Sequence, residues 1–381
     1  MTATLLTGGR VLLDGALRTD RALVVEGGRI AGICAAAAAP QGLDRIDFAG
    51  DILLPGFVDI QVNGGGGVLF NDAPSVATIR TIAQTHARFG TTALLPTLIS
   101  DDLDKVATAI AAVEEAISVG VPGVIGIHLE GPFLSTDRKG VHDASKFRPF
   151  LQSHVELMSR LKGGVTVVTL SPEQAPPHVI AALAARGVRV CAGHTNATYD
   201  EMRLALDAGV SGFTHLFNAM SPLTSREPGV VGAALEDQAS WCGLIVDGAH
   251  VAPATLRLAL RCKPLDRFML VTDAMPSVGM ADGSFVLQGR RIHVEDGTCR
   301  AEDGTLAGSD LDMLRALRNA IEQLQLGLPA AASMAGAHPA AFLGLEHELG
   351  SIRAGARADF VILRDDFSLR SVWMGGKQVH G

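Results

Sequence analysis

The sequence is poor in aromatic residues and has no excess of positive charge. Aromatic side chains make up 4% of the 381 residues, with one Tyr and two Trp. Single-stranded nucleic acid is bound largely by stacking of bases on aromatic rings, and nucleic-acid binders usually carry a basic excess. The formal net charge here is −8. We therefore expect no nucleic-acid partner, and an anionic substrate would need a local cationic pocket.

Cysteine and long apolar runs are also scarce. The five cysteines are odd in number, widely spaced and never in a CxxC pair, which is typical of free thiols in a reducing compartment. No apolar run approaches the roughly 20 residues of a membrane helix. Residues 1–10 lack the basic region and the apolar run of a secretion signal. These features predict a cytoplasmic protein with no membrane partner.

Short apolar runs alternate with amphipathic segments over most of the chain. Hydrophobic residues make up 48% and charged residues 19%, which permits a large buried core. The alternation predicts a parallel sheet covered by helices. The candidate strands are Leu53–Ile60, Thr91–Pro96, Val124–Glu130, Val165–Leu170, Val188–Ala192, Ser211–His215, Cys242–Val246 and Phe268–Asp273. The candidate helices are Ser75–Arg88, Leu103–Ser118, His178–Ala185, Tyr199–Ala208, Ser309–Gln325 and Ala330–Leu343.

A (β/α)8 TIM-like barrel is the fold predicted from these elements, with a doubly wound open sheet as the alternative. The open sheet is disfavoured because no GxGxxG follows the first strand; Gly64–Gly67 has a different spacing. Both ends of the chain show the sequence pattern of short strands broken by Gly and Asp turns, and the same pattern occurs again at Ser284–Val294. We therefore predict a barrel of residues 53–345 and a small β domain built from residues 1–52 and 346–381.

Polar residues stand at the carboxyl ends of four candidate strands. Glu130 ends VIGIHLE, His194 follows VCAG, His215 ends SGFTH and Asp273 ends MLVTD. The carboxyl ends of barrel strands meet on one face, where active sites are built. Charged groups are buried only when they are paired or bound to a metal. One carboxylate and two imidazoles are ligands that a catalytic zinc ion prefers, and Asp273 could act as a general base.

Each of these residues, taken alone, has a structural interpretation. A single His at a strand end is more often a hydrogen-bonded structural residue than a ligand, and Glu130 alone could be a solvated carboxylate. Their joint occurrence favours the metal site. His128 would share the strand face of Glu130, and we expect it to support the site or face the substrate rather than bind the metal. The remaining histidines in helical or loop contexts are predicted to be solvated: His86, His178, His338 and His347.

The order of short motifs resembles the N-acetylglucosamine-6-phosphate deacetylase family of the amidohydrolase superfamily. The motifs are PGFVDIQVNG, HLEGPF, KGVH, AGHTNAT, THLFNAMSP, REPGVVG, DGAH, VTDAM and DGTLAGS, and they span the chain from about residue 50 to its end. The resemblance implies a barrel with a small β-sandwich formed by the N- and C-terminal segments, and a homodimer. The activity it implies is metal-dependent hydrolysis of N-acetyl-D-glucosamine 6-phosphate to D-glucosamine 6-phosphate and acetate, in amino-sugar metabolism.

The resemblance also implies a role for individual residues. Glu130, His194 and His215 would bind the metal, and Asp273 would take a proton from the attacking water and give it to the departing amine. His142 of KGVH would polarise the acetyl carbonyl and stabilise the developing oxyanion. The residues implied in holding the sugar phosphate are Val141, Asn218, Ala219, Arg226, His250, Leu306, Ala307 and Gly308.

One departure from the superfamily bears on the number of metal ions. Many amidohydrolases carry His-x-His after the first barrel strand, and these imidazoles bind a second metal. Gln61 and Asn63 stand at the corresponding positions, and neutral amides are poorer ligands than imidazole for such a metal. We predict one divalent ion per subunit. Zinc is the expected ion, with iron, manganese and cobalt as alternatives that the same ligands accept.

Two other functions stay open on the sequence alone. The same chemistry could act on the galactosamine epimer or on an N-acyl amino acid, whose carboxylate could also use Arg226. The chain could instead be an amidohydrolase-like scaffold that has lost activity and binds partners. Such a scaffold typically lacks a metal ligand or the base, whereas all four residues are present here.

Overall fold

The computed structural model describes residues 3–281 and 283–381, which form strands at both ends and alternating strands and helices between them. The N-terminal strands are β1 (Thr4–Thr7), β2 (Arg10–Leu13), β3 (Ala16–Arg18), β4 (Arg21–Glu26), β5 (Arg29–Ala35), β6 (Asp44–Asp47) and β7 (Ile52–Pro55). The central strands are β8 (Phe57–Val62), β9 (Gly64–Gly65), β10 (Val68–Leu69), β11 (Thr91–Ile99), β12 (Gly126–Glu130), β13 (Val165–Leu170), β14 (Arg189–Ala192), β15 (Val210–Phe213), β16 (Trp241–Leu244) and β17 (Phe268–Leu270). The later strands are β18 (Ser284–Leu287), β19 (Arg290–Glu295), β20 (Thr298–Ala301), β21 (Leu306–Ser309), β22 (Phe360–Leu363), β23 (Leu369–Met374) and β24 (Lys377–His380).

The helices lie mainly between the central strands and after the last of them. They are α1 (Val76–Ala87), α2 (Leu103–Ser118), α3 (Val155–Met158), α4 (Pro177–Ala185), α5 (Tyr199–Ala208), α6 (Gly229–Glu236), α7 (Pro253–Ala259), α8 (Met313–Glu322), α9 (Leu328–Ala335) and α10 (Ala337–Leu343). The segment predicted as one helix, Ala330–Leu343, is therefore two, with Gly336 between them. None of the helices in the described part of the chain has both the length and the apolar character that a bilayer span requires.

The central sheet confirms the predicted (β/α)8 barrel. Its 8 strands run in the order β8-β11-β12-β13-β14-β15-β16-β17, and each neighbouring pair is parallel. The first and last strands meet beyond β17, where the backbone N–H of Asp273 donates to the carbonyl of Gln61 (3.0 Å) and Val62 bridges to Ala274. Such strands are buried on both faces, which explains their nearly continuous apolar runs.

The prediction of a single strand over Leu53–Ile60 is wrong. This segment contains the end of β7 and the start of β8, which belong to different sheets. Gly56 lies between them, and its N–H donates to the carbonyl of Asp359 (2.9 Å). A side chain at this glycine would collide with Thr92. The division of the chain into two domains stays a proposal, and the pairing of β7 with β2 and β22 favours a first boundary after Pro55.

The two termini form a small β-sandwich, as predicted. One sheet has the order β5-β4-β1-β6, and the other has the order β24-β23-β22-β7-β2-β3. The C-terminal strand β22 pairs with the N-terminal strand β7, so both ends of the chain contribute to one sheet. Buried side chains from both ends share one apolar cluster, including Leu23, Ile30, Phe48, Phe360 and Trp373.

A separate four-stranded sheet is inserted after the last barrel strand. Its order is β18-β19-β20-β21, and all its pairs are antiparallel. Its apolar face packs on Leu69, Ile99 and Met275, which follow or end barrel strands. The inserted sheet therefore lies at the carboxyl-terminal mouth of the barrel. Strands were predicted for Ser284–Val294, but the position of this sheet over the mouth of the barrel was not.

Candidate active site

Three buried side chains converge at the carboxyl ends of the barrel strands. Glu130 is the last residue of β12, while His194 and His215 each lie two residues beyond the ends of β14 and β15. His215 Nε2 lies 3.1 Å from Glu130 Oε1 and 3.1 Å from His194 Nε2, and His194 Nε2 lies 3.2 Å from Glu130 Oε1. The structure thus brings together the residues predicted to be metal ligands.

The backbone at these positions is unusual. His194, His215 and Asp273 have positive φ angles of 48°, 34° and 53°, in the left-handed region that non-glycine residues seldom occupy. Strained backbone of this kind tends to persist at functional sites, where the surrounding structure holds it in place. Each of the three residues follows a barrel strand. At each of these residues the backbone leaves the strand, so the side chain points into the mouth of the barrel and no longer alternates between the two faces of the sheet.

The cluster fits a divalent metal ion. Metal–ligand bonds of about 2.0–2.1 Å in tetrahedral geometry place ligand atoms roughly 3.3 Å apart, close to the three separations found here. His194 Nδ1 lies 2.9 Å from the carbonyl oxygen of Arg138, which can only accept. Nδ1 therefore carries the proton, and Nε2 offers a lone pair to the cluster. One carboxylate and two imidazoles leave a coordination position open for water or substrate.

The charges in the cluster favour a cation. Burial alone would raise the pKa of Glu130, but interaction with the neighbouring rings of His194 and His215 holds that pKa well below its usual range. Burial alone would lower the pKa of His215, whereas the hydrogen bond and charge of Glu130 raise it. The carboxylate is thus kept ionised and draws positive charge toward the point where the three side chains meet.

Asp273 lies beside the cluster and is held by two amides. Its Oδ1 accepts hydrogen bonds from Asn63 Nδ2 (2.6 Å) and Gln61 Nε2 (3.1 Å). Burial raises the pKa of Asp273 to about 6, and the nearby charge of Glu130 acts in the same direction. A carboxyl group with a pKa close to neutral pH can both accept and return a proton, which suits a general acid and base.

His142 borders the cluster on another side. Its ring centroid lies 4.4 Å from that of His194, and its Nδ1 lies 2.8 Å from Ser100 Oγ. Burial, with a smaller contribution from His194, lowers the pKa of His142 to about 3. The ring is therefore neutral at physiological pH and can act as a hydrogen-bond donor without carrying charge.

These side chains line a cavity of about 340 Å³. Such a volume suits a small-molecule ligand. Of the residues predicted to hold substrate, the lining includes Val141, Asn218, Ala219, His250, Leu306 and Gly308. It also includes residues that the sequence analysis did not single out as site residues: Ile99, Asp137, Arg138, Gly140, Met275 and Thr305.

Two predicted substrate-binding residues lie outside this lining. Ala307 is fully buried in the apolar cluster of the inserted sheet, because it lies between Leu306 and Gly308 and successive strand residues face opposite sides. Its side chain therefore faces away from the cavity, and a contact of Ala307 with the substrate through its backbone stays a prediction. Arg226 is exposed on the loop before α6 and does not join the cavity of its own chain. Arg138 is a basic residue of the lining, and its Nε donates to Asn196 Oδ1 (2.8 Å).

Comparison with known proteins adds to this geometry. The amidohydrolase family matches residues 52–379. The chain belongs to the amidohydrolase family. N-acetylgalactosamine-6-phosphate deacetylase of Shewanella sp. (strain ANA-3) is 42% identical over 98% of this chain and 95% of that protein. N-acetylglucosamine-6-phosphate deacetylase of Haemophilus influenzae is 32% identical over 94% of both. The crystal structure of N-acetylglucosamine-6-phosphate deacetylase from Pasteurella multocida superposes with a TM-score of 0.95 at 34% identity, covering 99% of each chain.

In this amidohydrolase, the two amides that replace His-x-His act as hydrogen-bond donors. Gln61 Nε2 lies 3.3 Å from Glu130 Oε2 as well as 3.1 Å from Asp273 Oδ1, so it connects the two carboxylates. The Asn63 side chain donates to Asp273, and its own Oδ1 is buried without a partner among the described residues. Both side chains therefore support the carboxylates instead of adding ligands.

Two further histidines of the amidohydrolase are buried within its core. His128 Nε2 lies 2.7 Å from Thr169 Oγ1, and burial lowers the pKa of His128 to about 4. It lies beneath the cluster and is not one of the converging ligands. The prediction that His86 is solvated is wrong. Its side chain is fully buried, its Nε2 lies 2.9 Å from the carbonyl oxygen of Gly64, and burial lowers its pKa to about 4.

Proposed function

We propose that this chain removes the acetyl group from N-acetyl-D-glucosamine 6-phosphate, giving D-glucosamine 6-phosphate and acetate. The observation that carries the proposal is the Glu130, His194 and His215 cluster, with Asp273 and His142 on its borders, in one cavity. Relatives that align over nearly the whole chain are named for deacetylation of amino-sugar 6-phosphates. An inactive scaffold is disfavoured because the ligands and the base are all in place.

The cluster would bind one divalent ion, and we propose zinc. A bound dication supplies a Lewis acid that lowers the pKa of water to about 7 and polarises a carbonyl group. Asp273 takes the proton from the attacking water and passes it to the amine as the C–N bond breaks. His142 donates a hydrogen bond to the carbonyl oxygen as negative charge develops there. The amides of Gln61 and Asn63 keep Asp273 in place during both proton transfers.

The sugar phosphate would be held by the remaining lining of the cavity. His250 and Arg138 are basic residues of this lining, and a guanidinium suits phosphate because it donates two parallel hydrogen bonds. We propose that the protein is a homodimer and that Arg226 reaches the cavity of the partner copy. The exposed position of Arg226 in its own chain supports this assignment.

The galactosamine epimer is the second candidate substrate. The relative that is 42% identical is named for N-acetylgalactosamine 6-phosphate. The two sugars differ at one hydroxyl, and a site that donates or accepts a buried hydrogen bond at that position can discriminate strongly between them. The relatives reported above are named for amino-sugar 6-phosphates, which disfavours an N-acyl amino acid as the substrate.

The proposal is tested by acetate release from both amino-sugar phosphates. The purified protein is assayed with its metal content measured in the same sample. The expected result is about one divalent ion per subunit and a larger kcat/KM for N-acetyl-D-glucosamine 6-phosphate than for the galactosamine epimer. The reverse preference would assign the epimer instead. No acetate from either sugar, with the metal bound, would contradict the proposed function.

We also propose that the protein works in the cytoplasm. The cysteines are all free thiols, and the buried Cys191 and Cys242 are packed as small apolar residues in the barrel. Free thiols of this kind are typical of a reducing compartment. Fractionation of the native host, followed by the acetate-release assay on each fraction, checks this assignment.

A further inference from the structure

The Nδ1 atom of the His142 ring contacts Ser100. Ser100 follows β11 directly, and His142 lies in the loop after β12, the neighbouring parallel strand. His142 Nδ1 lies 2.8 Å from Ser100 Oγ and 3.4 Å from the Ser100 backbone nitrogen. Both residues are buried. The same ring nitrogen therefore faces two groups of Ser100.

The backbone contact decides which ring nitrogen carries the proton. A backbone N–H can only donate, so Nδ1 must be the acceptor and carries no hydrogen. A neutral imidazole has one N–H, which then lies on Nε2. The Ser100 hydroxyl is consistent with this assignment. Its hydrogen bond to Nδ1 is shorter than the 3.4 Å that separates Oγ from the Glu130 carbonyl oxygen.

This tautomer matters for the direction of the hydrogen bond into the cavity. Because Nδ1 accepts hydrogen bonds from Ser100, the Nε2–H of His142 is the ring group that can donate a hydrogen bond to a ligand. An oxyanion needs a donor placed in advance at the position where charge develops. The opposite tautomer would present a lone pair to the same oxygen and would repel it.

The inserted sheet supports this arrangement from outside the barrel. Gln288 Nε2 donates to the Ser100 carbonyl (2.9 Å), and its Oε1 accepts from the Asp143 N–H (2.9 Å). One side chain thus ties the residue behind the ring to the residue that follows it. Gln288 and Gly289 form the turn between β18 and β19 with φ angles of 49° and 80°, as in the tight hairpin turns that match strand twist.

We propose that Ser100 and Gln288 are positioning residues that hold His142 as its Nε2-protonated tautomer, aimed at the carbonyl oxygen of the substrate. The inference rests on the proposed function only for the role of His142. The tautomer itself is a property of the protein without substrate. Gln288 makes the inserted sheet part of the machinery that orients this ring, although its side chain need not touch the substrate.

Neutron diffraction of the zinc-loaded protein tests the tautomer directly. The expected result is a hydrogen atom on Nε2 of His142 and none on Nδ1, with the Ser100 hydroxyl hydrogen directed at Nδ1. A hydrogen on Nδ1 would overturn the proposal. This measurement does not depend on the identity of the substrate, so it remains informative even if the proposed function fails.

Steady-state kinetics test whether the arrangement matters in the transition state. Ser100→Ala is expected to lower kcat by about 10- to 100-fold, which is less than the loss of a whole oxyanion donor because the backbone N–H remains. KM should change by no more than about twofold, since the interaction strengthens only in the transition state. Ser100→Thr, which keeps the hydroxyl, should recover most of kcat. Equal losses in both variants would instead indicate a packing defect and overturn the proposal.

The hairpin contact is tested with a matched pair of variants. Gln288→Glu removes the donor to the Ser100 carbonyl but keeps an acceptor for Asp143, and we expect kcat to fall by about 3- to 10-fold, a loss of the size of one hydrogen bond. Arg291→Ala, exposed on the same hairpin, should leave kcat unchanged. Equal kcat in the two variants would refute the role of Gln288. No acetate release by the wild-type holoenzyme would count against the proposed function, whereas the neutron result alone decides the tautomer.

Discussion

The buried carboxyl group of Asp59 predicts how the stability of the protein depends on pH. Asp59 lies in β8 beneath the site, with its side chain fully buried. Burial raises the pKa of Asp59 from 3.8 to about 7. Its Oδ2 lies 2.5 Å from Thr272 Oγ1, and its Oδ1 accepts from the Gln61 N–H (3.2 Å).

The sign of the effect follows from proton binding in the two states. The folded protein keeps the Asp59 proton up to about pH 7, whereas the unfolded chain loses it near pH 3.8. The folded state therefore binds more protons in this window, and stability falls as the pH rises through it. A shift of about 3 pKa units corresponds to about 4 kcal/mol of unfolding free energy, lost between pH 4 and pH 7.

Asp59→Asn should remove this dependence without breaking the network. The amide nitrogen can donate to Thr272 Oγ1, as the protonated carboxyl does. The Thr272 hydroxyl is then free to donate to the Gln61 carbonyl oxygen, 3.3 Å away. The amide oxygen can keep the hydrogen bond from the Gln61 N–H. The variant is therefore a neutral copy of the protonated side chain.

The assay compares thermal unfolding of the metal-loaded wild type and variant from pH 5 to pH 8. Protonation of the metal ligands affects both proteins equally and cancels in the difference. The difference in unfolding free energy should grow by about 3 kcal/mol in favour of Asp59→Asn across this range, which amounts to several degrees in Tm. Asp14→Asn, at an exposed turn, is the control and should show a constant difference. Parallel curves for Asp59→Asn and wild type would refute the reasoning.

Three further predictions concern the site. Asp273→Asn should lower kcat by about 10²- to 10⁴-fold, the range for loss of a general base. Elemental analysis should show the same metal content as in the wild type, and an unchanged kcat would exclude Asp273 as the base. Glu130→Gln removes the carboxylate of the metal cluster and should reduce bound metal below one ion per subunit, and a chelator should lower the Tm of wild type more than that of this variant. Asp247→Asn weakens the 2.6 Å hydrogen bond that orients His250, so KM should rise by about tenfold with little change in kcat. Inhibition by inorganic phosphate should weaken in parallel, and an unchanged KM would show that His250 does not hold the substrate.

The positions of the barrel strands could be predicted from the sequence for a physical reason. Strands buried on both faces leave continuous apolar runs, and Val165–Leu170 was predicted with the bounds that the structure has. The same logic failed at Leu53–Ile60. The residues on either side of Gly56, Leu53–Pro55 and Phe57–Val58, are apolar, so no polar residue next to the glycine marks the change of sheet.

The burial of His86 was missed although the sequence contained a signal for it. Helix α1 buries Ile79, Ile82 and Ala83. His86 lies four residues after Ile82 and three after Ala83, so helical periodicity places it on the same apolar face. A prediction from the residue type alone, without the position in the helical period, is therefore wrong here. A buried neutral histidine is consistent with that position.

The residues in the outer part of the cavity could not be predicted from local sequence patterns. Ser100 and Gln288 are 188 positions apart, and nothing in either segment indicates that they meet. Arg138 enters the cavity from the loop after β12, where its sequence resembles a solvated surface segment. Strand ends converge because of the barrel itself, whereas loop residues converge only through contacts that the whole fold creates.

The seam between the first and last barrel strands explains why the loss of His-x-His is compatible with activity. Asp59, Gln61 and Asn63 alternate along β8 and its extension, so their side chains share one face. That face meets Thr272 and Asp273, which follow the last strand. Asp59 bonds Thr272, and the two amides bond Asp273. A second metal would need imidazoles at 61 and 63, and these would remove the amide donors that hold the base. In the one-ion site proposed above, the seam would hold Asp273 in a fixed orientation through the amides of Gln61 and Asn63 instead of binding a second metal ion.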